Sequence, residues 1–101
     1  MRITESVLKK RIEYLNSLTN SAETPYKRVD GKLIANVGNF HLSCAYGAVS
    51  LHRMANESGG VDSVFNCGYI PKKELYWRIN AYIQALMDVK YHKIDIKGHS
   101  K

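Results

Sequence analysis

The dipeptide Asp30-Gly31 constrains the fold of this chain more than any other short segment. It lies between two strand-like runs, and Asp-Gly favours a type I′ turn because both central residues of that turn need positive φ. We therefore predict a β-hairpin over about residues 26–37. Whatever else the chain forms, it must accommodate an antiparallel pair of strands.

Helical periodicity is present on both sides of this hairpin. Thr4 is a suitable N-cap, and apolar residues recur at the 3.6-residue period over Leu8–Leu15, which predicts a first helix ending near Asn20. Pro71 occupies a favoured position at the start of a helix. We predict a long last helix from there to about Tyr91.

The central segment, from Phe40 or His41 to Glu57, is apolar on two sides of a helical wheel. Gly59-Gly60 follows it as a helix-terminating signal, so we predict a second, central helix. Apolar and polar residues then alternate over Val61–Tyr69, which predicts a half-buried third strand. The resulting order is helix, β-hairpin, helix, strand, helix. It predicts an α+β fold of three helices packed with a small antiparallel sheet.

The length of 101 residues predicts a single α+β domain over residues 1–90 and a basic, flexible C-terminal tail over residues 91–101. No stretch approaches the roughly 18 apolar residues of a membrane-spanning helix, and no signal peptide is evident. We therefore expect a cytoplasmic protein without a membrane partner. The net charge of +6 favours an acidic partner, although it is also typical of ordinary small domains.

One part of the chain carries a family resemblance. The sequence Ala-Asn-Val-Gly-Asn-Phe-His-Leu-Ser-Cys-Ala-Tyr-Gly at residues 35–47, followed by Leu51–Asn56 and Gly59-Gly60, resembles a family of small proteins carried by tailed phages and prophages. The similarity covers most of the chain, with two departures: Ala48 stands where a second glycine is expected, and the sequence continues beyond Tyr91, where an end soon after the last helix is expected. The resemblance implies a phage origin and action in the host cytoplasm. It implies no catalytic residue.

The histidines and cysteines do not predict a metal site or a catalytic centre. If residues 40–57 are helical, His41 and His52 lie about 16 Å apart along the axis, too far to share one zinc ion. Cys44 lies on an apolar side of that helix, so we interpret Cys44 and Cys67 as buried, reduced thiols. Common catalytic and nucleotide-binding motifs are absent from the sequence. We expect a non-enzymatic protein with no catalytic residue, metal or cofactor.

Trp77 is the most informative exception to the pattern of the last helix. It projects about 180° from the apolar stripe of Leu75, Ile79 and Ile83. An outward tryptophan is typical of an interface, since large rigid aromatic side chains dominate binding hot spots. The competing interpretation is that other parts of the chain cover this side of the helix. The candidate protein-interface residues are Trp77, Ala81, Gln84 and Asp88.

Basic and aromatic residues also occur together on several predicted elements. Such a combination binds phosphates and stacks on bases. The candidate nucleic-acid contacts are Lys9, Lys10, Arg11, Lys27, Arg28, Lys72, Lys73, Tyr76 and Arg78. No cluster among them is dense and no helix-turn-helix spacing is evident, so a solvated surface is the competing interpretation.

These observations lead to one expected function and two alternatives. We expect a phage-encoded accessory protein that binds and modulates or inhibits a host macromolecular complex in host takeover or anti-defence, for example a CRISPR effector or a nuclease. A host protein complex is the favoured partner, and a second copy of this chain, forming a homodimer, is the other partner considered for the same interface. The alternatives are direct nucleic-acid binding in phage gene expression or replication, and binding of a nucleotide defence signal.

Overall fold

The computed structural model describes residues 2–92, which contain two helices and five strands. In chain order these are α1 (Glu5–Leu18), β1 (Tyr26–Val29), β2 (Lys32–Ala35), β3 (Phe40–Ala45), β4 (Ala48–Met54), β5 (Val61–Ser63) and α2 (Lys72–His92). Strands β1 and β2 pair with each other, and β3, β4 and β5 form a second antiparallel sheet in that order. The tail is predicted over residues 91–101, and its part beyond His92 lies outside the described residues.

The predicted first hairpin is confirmed. Tyr26 pairs with Ala35 at its base and Val29 pairs with Lys32 at its tip. Asp30 and Gly31 have φ values of 50° and 77°, both in the left-handed region that a type I′ turn needs.

The predicted central helix is wrong, and the number of helices is therefore two rather than three. Phe40–Ala45 and Ala48–Met54 form a second β-hairpin, whose turn residues Tyr46 and Gly47 have φ values of 55° and 77°. Side chains of a strand alternate between the two faces of its sheet, so two apolar-rich strands look like a helix that is apolar on both sides. Tyr-Gly is also a weak turn signal, because tyrosine seldom adopts positive φ.

The predicted third strand is correct only at its beginning. Regular pairing with β4 covers Val61–Ser63, and the chain then turns at Asn66, whose φ is 52°. Ile70 returns to the same sheet, where it exchanges two backbone hydrogen bonds of 2.8 Å with Val49. The glycine pair that was predicted to end a helix instead lies in the connection from β4 to β5.

The first and last helices are confirmed. Thr4 caps α1 by accepting a hydrogen bond of 3.3 Å from the backbone of Val7, and α2 begins directly after Pro71. The two helices run parallel, since Arg11, midway along α1, contacts Asn80, whereas the carbonyl of Leu18 at the end of α1 contacts Lys90.

One hydrophobic core joins both helices to the three-stranded sheet. Its buried members are Leu8, Ile12, Leu15, Leu18, Phe40, Val49, Leu51, Leu75, Ile79 and Ile83. Asn16 is buried beside them, and its amide makes two hydrogen bonds of 2.9 Å to the backbone N–H and carbonyl of Phe40. This pair of bonds fixes α1 to the edge strand β3.

Candidate functional site

Trp77 is the largest apolar side chain that the described residues leave accessible, with 60% of its surface exposed. It lies on the side of α2 opposite the buried residues Leu75 and Ile79. Its ring contacts Tyr76 edge-on, with the centroids 5.4 Å apart. The chain itself therefore holds Trp77 in place but does not cover it.

Helix α1 contributes to the same side of the molecule. The Arg11 side chain donates a hydrogen bond of 2.9 Å to Asn80, which lies one turn after Trp77. The Arg11 guanidinium also lies 5.5 Å from the centre of the Tyr14 ring, and the Tyr14 hydroxyl donates to the sulfur of Met87 at 3.6 Å. These contacts place an arginine and a second exposed aromatic residue beside α2.

The exposed surface continues along α2. Gln84 and Tyr91 follow Trp77 at intervals of about two turns and therefore share its side of the helix, and Tyr91 is exposed. We define the aromatic surface as Arg11, Tyr14, Trp77, Asn80, Gln84 and Tyr91. It combines the three residue types most enriched in binding hot spots with two amides that can form hydrogen bonds.

The four predicted interface residues lie together on the outer side of α2. Trp77, Ala81 and Gln84 are exposed, whereas Asp88 is half-buried and accepts a hydrogen bond of 3.2 Å from Gln84. Sequence reasoning did not assign Arg11, Tyr14 or Tyr91 to a protein interface, although it named Arg11 as a candidate nucleic-acid contact. Arg11 and Tyr14 reach α2, at Asn80 and Met87, only through the parallel packing of the helices, which no local pattern encodes.

The structure does not bring the predicted nucleic-acid contacts into one patch. Lys27 and Arg28 are exposed on the β1–β2 hairpin, a sheet separate from the one that packs against the two helices. Arg78 forms an ion pair of 2.9 Å with Glu74, and Tyr76 is half-buried against the core. The remaining candidates, all on the helices, are Lys9, Lys10, Arg11, Lys72 and Lys73.

A pair of histidines lies on the sheet face that points away from the core. His41 on β3 is directly opposite His52 on β4, with the ring centroids 5.9 Å apart. The predicted separation along a helix is wrong because the two residues belong to adjacent strands. Tyr69 stands edge-on to His52 at 6.1 Å, and its hydroxyl is 2.7 Å from that of Ser43.

Both histidines favour the neutral form. Burial lowers the pKa of His52, and burial together with the nearby charge of His52 lowers the pKa of His41, partly opposed by a hydrogen bond with the backbone of Asn39. The Asn39 amide is fully buried, and its nitrogen donates to the carbonyl of Ala22 at 2.7 Å. Its oxygen therefore faces the Nδ1 of His41 at 3.2 Å.

The two cysteines are free thiols, and the prediction that both are buried is wrong. Cys44 is exposed because it lies near the end of β3, beside the turn, and Cys67 is half-buried. Cys44 lies three residues after His41 on β3, and an odd separation along a strand puts two side chains on opposite faces of the sheet. His41 is therefore not positioned as a base for the Cys44 thiol.

Open grooves lie on the surface of the described residues 2–92. One groove of about 740 Å³ lies between α1 and the loop that follows it. Its lining residues are Glu13, Asn16, Ser17, Asn20, Ser21, Glu23 and Thr24. Within the same range, no three His, Cys, Asp or Glu side chains gather around one point, and neither helix is long and apolar enough to cross a bilayer.

Comparison with protein-family models, with curated proteins and with solved structures finds no significant match to this chain.

Proposed function

We propose that this chain is a non-enzymatic binding protein that acts on a macromolecular complex through its aromatic surface. The observation that supports this function most strongly is the 60% exposure of Trp77 on a helix whose opposite side is fully buried. A large apolar side chain left in water gains free energy when a partner covers it, by about 25 cal/mol for each Å² removed from water.

The other residues of the aromatic surface make it suitable for a protein partner. Arg11 is already hydrogen-bonded to Asn80 and stacked near Tyr14, so little side-chain freedom is lost when a partner binds there. Asn80 and Gln84 supply donors and acceptors around the apolar centre. An apolar centre with a polar rim is the usual organisation of a specific protein interface.

The charge of the chain indicates the chemistry of the partner. Lys10, Arg11 and Lys90 lie on the helices that form the aromatic surface, and the whole chain carries +6. An acidic protein surface complements this charge and associates faster because of long-range attraction. The resemblance to tailed-phage proteins supports a host complex as the target, and takeover or suppression of defence as the role.

The test is the substitution Trp77→Ala, with Tyr46→Ala as the matched control. Tyr46 is a fully exposed aromatic residue at the tip of the β3–β4 turn, outside the aromatic surface. The partner is first isolated from a lysate of the bacterial host after nuclease treatment, and its affinity for each purified variant is then measured by calorimetry. We expect W77A to bind about 30-fold more weakly, or worse, which corresponds to about 2 kcal/mol, and Y46A to bind like the parent chain.

Three results would contradict the proposal. Equal affinity of W77A and the parent chain removes Trp77 from the interface. Loss of the captured material on nuclease treatment identifies nucleic acid as the partner instead. If light scattering shows that W77A has half the mass of the parent chain in solution, the aromatic surface joins two copies of this chain.

Nucleic-acid binding is the second candidate, and one observation favours it. All four residues of β1 are exposed, and the hairpin presents Lys27, Arg28 and Lys32 around its turn. A two-stranded ribbon with this charge fits the major groove of a duplex. Binding would weaken steeply with salt because each neutralised phosphate releases counterions, and a Lys27→Ala/Arg28→Ala variant would show a smaller salt slope. Fluorescence anisotropy with labelled DNA and RNA measures both effects.

The groove beside α1 does not favour binding of a nucleotide signal. The groove beside α1 is lined by two carboxylates, Glu13 and Glu23, and by uncharged residues. Carboxylates repel the phosphates of such a ligand.

A further inference from the structure

The histidine pair has the composition and spacing of a small metal site. His41 and His52 occupy opposite positions on neighbouring strands, on the face away from Phe40, Val49 and Leu51 of the core. Both side chains are partly exposed, so a cation in solvent can reach them. From these contacts we propose that His41 and His52 form a two-imidazole site for a borderline divalent cation such as Zn²⁺ or Ni²⁺.

The distance between the rings agrees with this assignment. Zinc–nitrogen bonds of about 2.0–2.1 Å at a tetrahedral angle place the centroids of two coordinating imidazoles about 5 Å apart. The observed separation is 5.9 Å. Binding therefore requires the rings to approach each other by less than about 1 Å, which small side-chain rotations provide without moving the strands.

Asn39 prepares His41 for coordination. Because the Asn39 nitrogen is used by the carbonyl of Ala22, its oxygen accepts a hydrogen bond from Nδ1 of His41. In the neutral ring this leaves Nε2 without a proton and free to bind a cation. Orientation of a histidine ligand by a hydrogen bond at its other nitrogen is the common arrangement in metal sites.

The donor set selects the type of cation. Two neutral imidazoles suit Zn²⁺, Ni²⁺ and Cu²⁺, whereas Mg²⁺ and Ca²⁺ prefer oxygen ligands. The lowered pKa values of both histidines keep the rings unprotonated near neutral pH, as a ligand must be. With two protein ligands, water occupies the other coordination positions.

The test is a calorimetric Zn²⁺ titration of the full chain at neutral pH, with His41→Gln and His52→Gln as separate variants. The matched control is the double variant His92→Gln/His99→Gln, which removes the other two histidines of the sequence. We expect one Zn²⁺ per chain, binding about tenfold more weakly or not at all in H41Q and H52Q, and unchanged binding in the control. An excess of Mg²⁺ should not displace the Zn²⁺.

Side-chain NMR of the unsubstituted chain provides a readout that does not depend on the folding of any variant. Zn²⁺ should shift the ring resonances of His41 and His52 together. No zinc binding, unchanged affinity in both single variants, or shifts confined to His92 and His99 would each overturn the assignment.

Discussion

The side-chain amide of Asn16 is buried in the core, and both its atoms are hydrogen-bonded: the nitrogen donates to the carbonyl of Phe40 and the oxygen accepts from the N–H of the same residue. This geometry imitates one step of strand pairing. The contact lets α1 cover the edge strand β3 while the backbone groups of Phe40 stay hydrogen-bonded. A buried backbone group without a partner would cost about 1–3 kcal/mol.

Substitution of Asn16 by alanine should therefore destabilise the fold strongly. We expect the free energy of unfolding to fall by about 2–4 kcal/mol, since both Phe40 groups lose their partner and the core gains a void. Urea denaturation followed by circular dichroism measures the change. Ser17→Ala, at an exposed position on the same helix, should stay within about 0.5 kcal/mol of the parent chain. A similar cost for both substitutions would contradict this role of Asn16.

The histidine pair should make stability depend on pH. The pKa of His41 and of His52 is lower in the folded chain than the ordinary value of 6.5, so the unfolded chain binds more protons as the solution is acidified. The free energy of unfolding is therefore highest above that value and falls as the pH decreases through the folded pKa values. The other charged groups around His41 are Lys9, Glu13 and Glu23, which line the adjoining groove.

Urea denaturation with a chelator present, at about pH 7.5 and about pH 5.5, measures this loss. The double variant His41→Gln/His52→Gln should lose less stability over the same interval. An equal loss in the double variant would assign the pH dependence to other groups.

At the scale of elements, the β3–β4 hairpin shows where local sequence patterns become ambiguous. Its turn places Tyr46 at φ 55°, although a non-glycine residue in the left-handed region costs about 1–2 kcal/mol. The cost is tolerated because the strands on both sides bury Phe40, Val49 and Leu51 in the core. Tertiary packing therefore determines the structure of this segment, against its local preferences.

Two substitutions of Tyr46 should have opposite effects. Asn-Gly is the preferred type I′ dipeptide, so Tyr46→Asn should stabilise the fold by about 0.5–1 kcal/mol. Tyr46→Val should destabilise it by at least about 1 kcal/mol, because a β-branched residue is poorly accommodated at positive φ. Thermal denaturation distinguishes the two. Asparagine and valine have similar helix propensities, so two equal effects would indicate a helix instead.

The limits of sequence reasoning follow from the same physics. Both terminal helices and the first hairpin were predictable because each has a strong local signal: a cap with periodic apolar residues, or the dipeptide Asp30-Gly31. The central helix was wrong because strands that bury residues at several positions on both faces mimic a two-sided helix. Outward projection of Trp77 was predictable from its helix alone, whereas the placement of Arg11 and Tyr14 beside α2 depends on how two helices far apart in the sequence pack.

At the scale of the whole molecule, stability is unevenly distributed. The core joins α1, α2 and the three-stranded sheet, whereas β1 and β2 form a separate sheet. At its base this hairpin is held by backbone bonds such as that from Ala35 to the carbonyl of Glu57, at 3.2 Å. An isolated two-stranded hairpin is marginally stable, so the hairpin should open without unfolding of the core.

Amide hydrogen exchange should detect this difference. We expect the amides of Val29 and Lys32, at the tip of the first hairpin, to be protected at least about 100-fold less than that of Leu51 in the central strand. Nuclear magnetic resonance resolves these positions individually. Equal protection would show that the hairpin and the core unfold together.

The contact between Asn16 and Phe40 also has a consequence for solubility. Strand β3 is an edge of its sheet, and an open edge is a template on which strands from other molecules can add and begin aggregation. Because Asn16 already occupies both backbone groups of Phe40, an added strand cannot pair along the whole edge unless α1 first moves away. The helix therefore protects this edge against growth into larger assemblies.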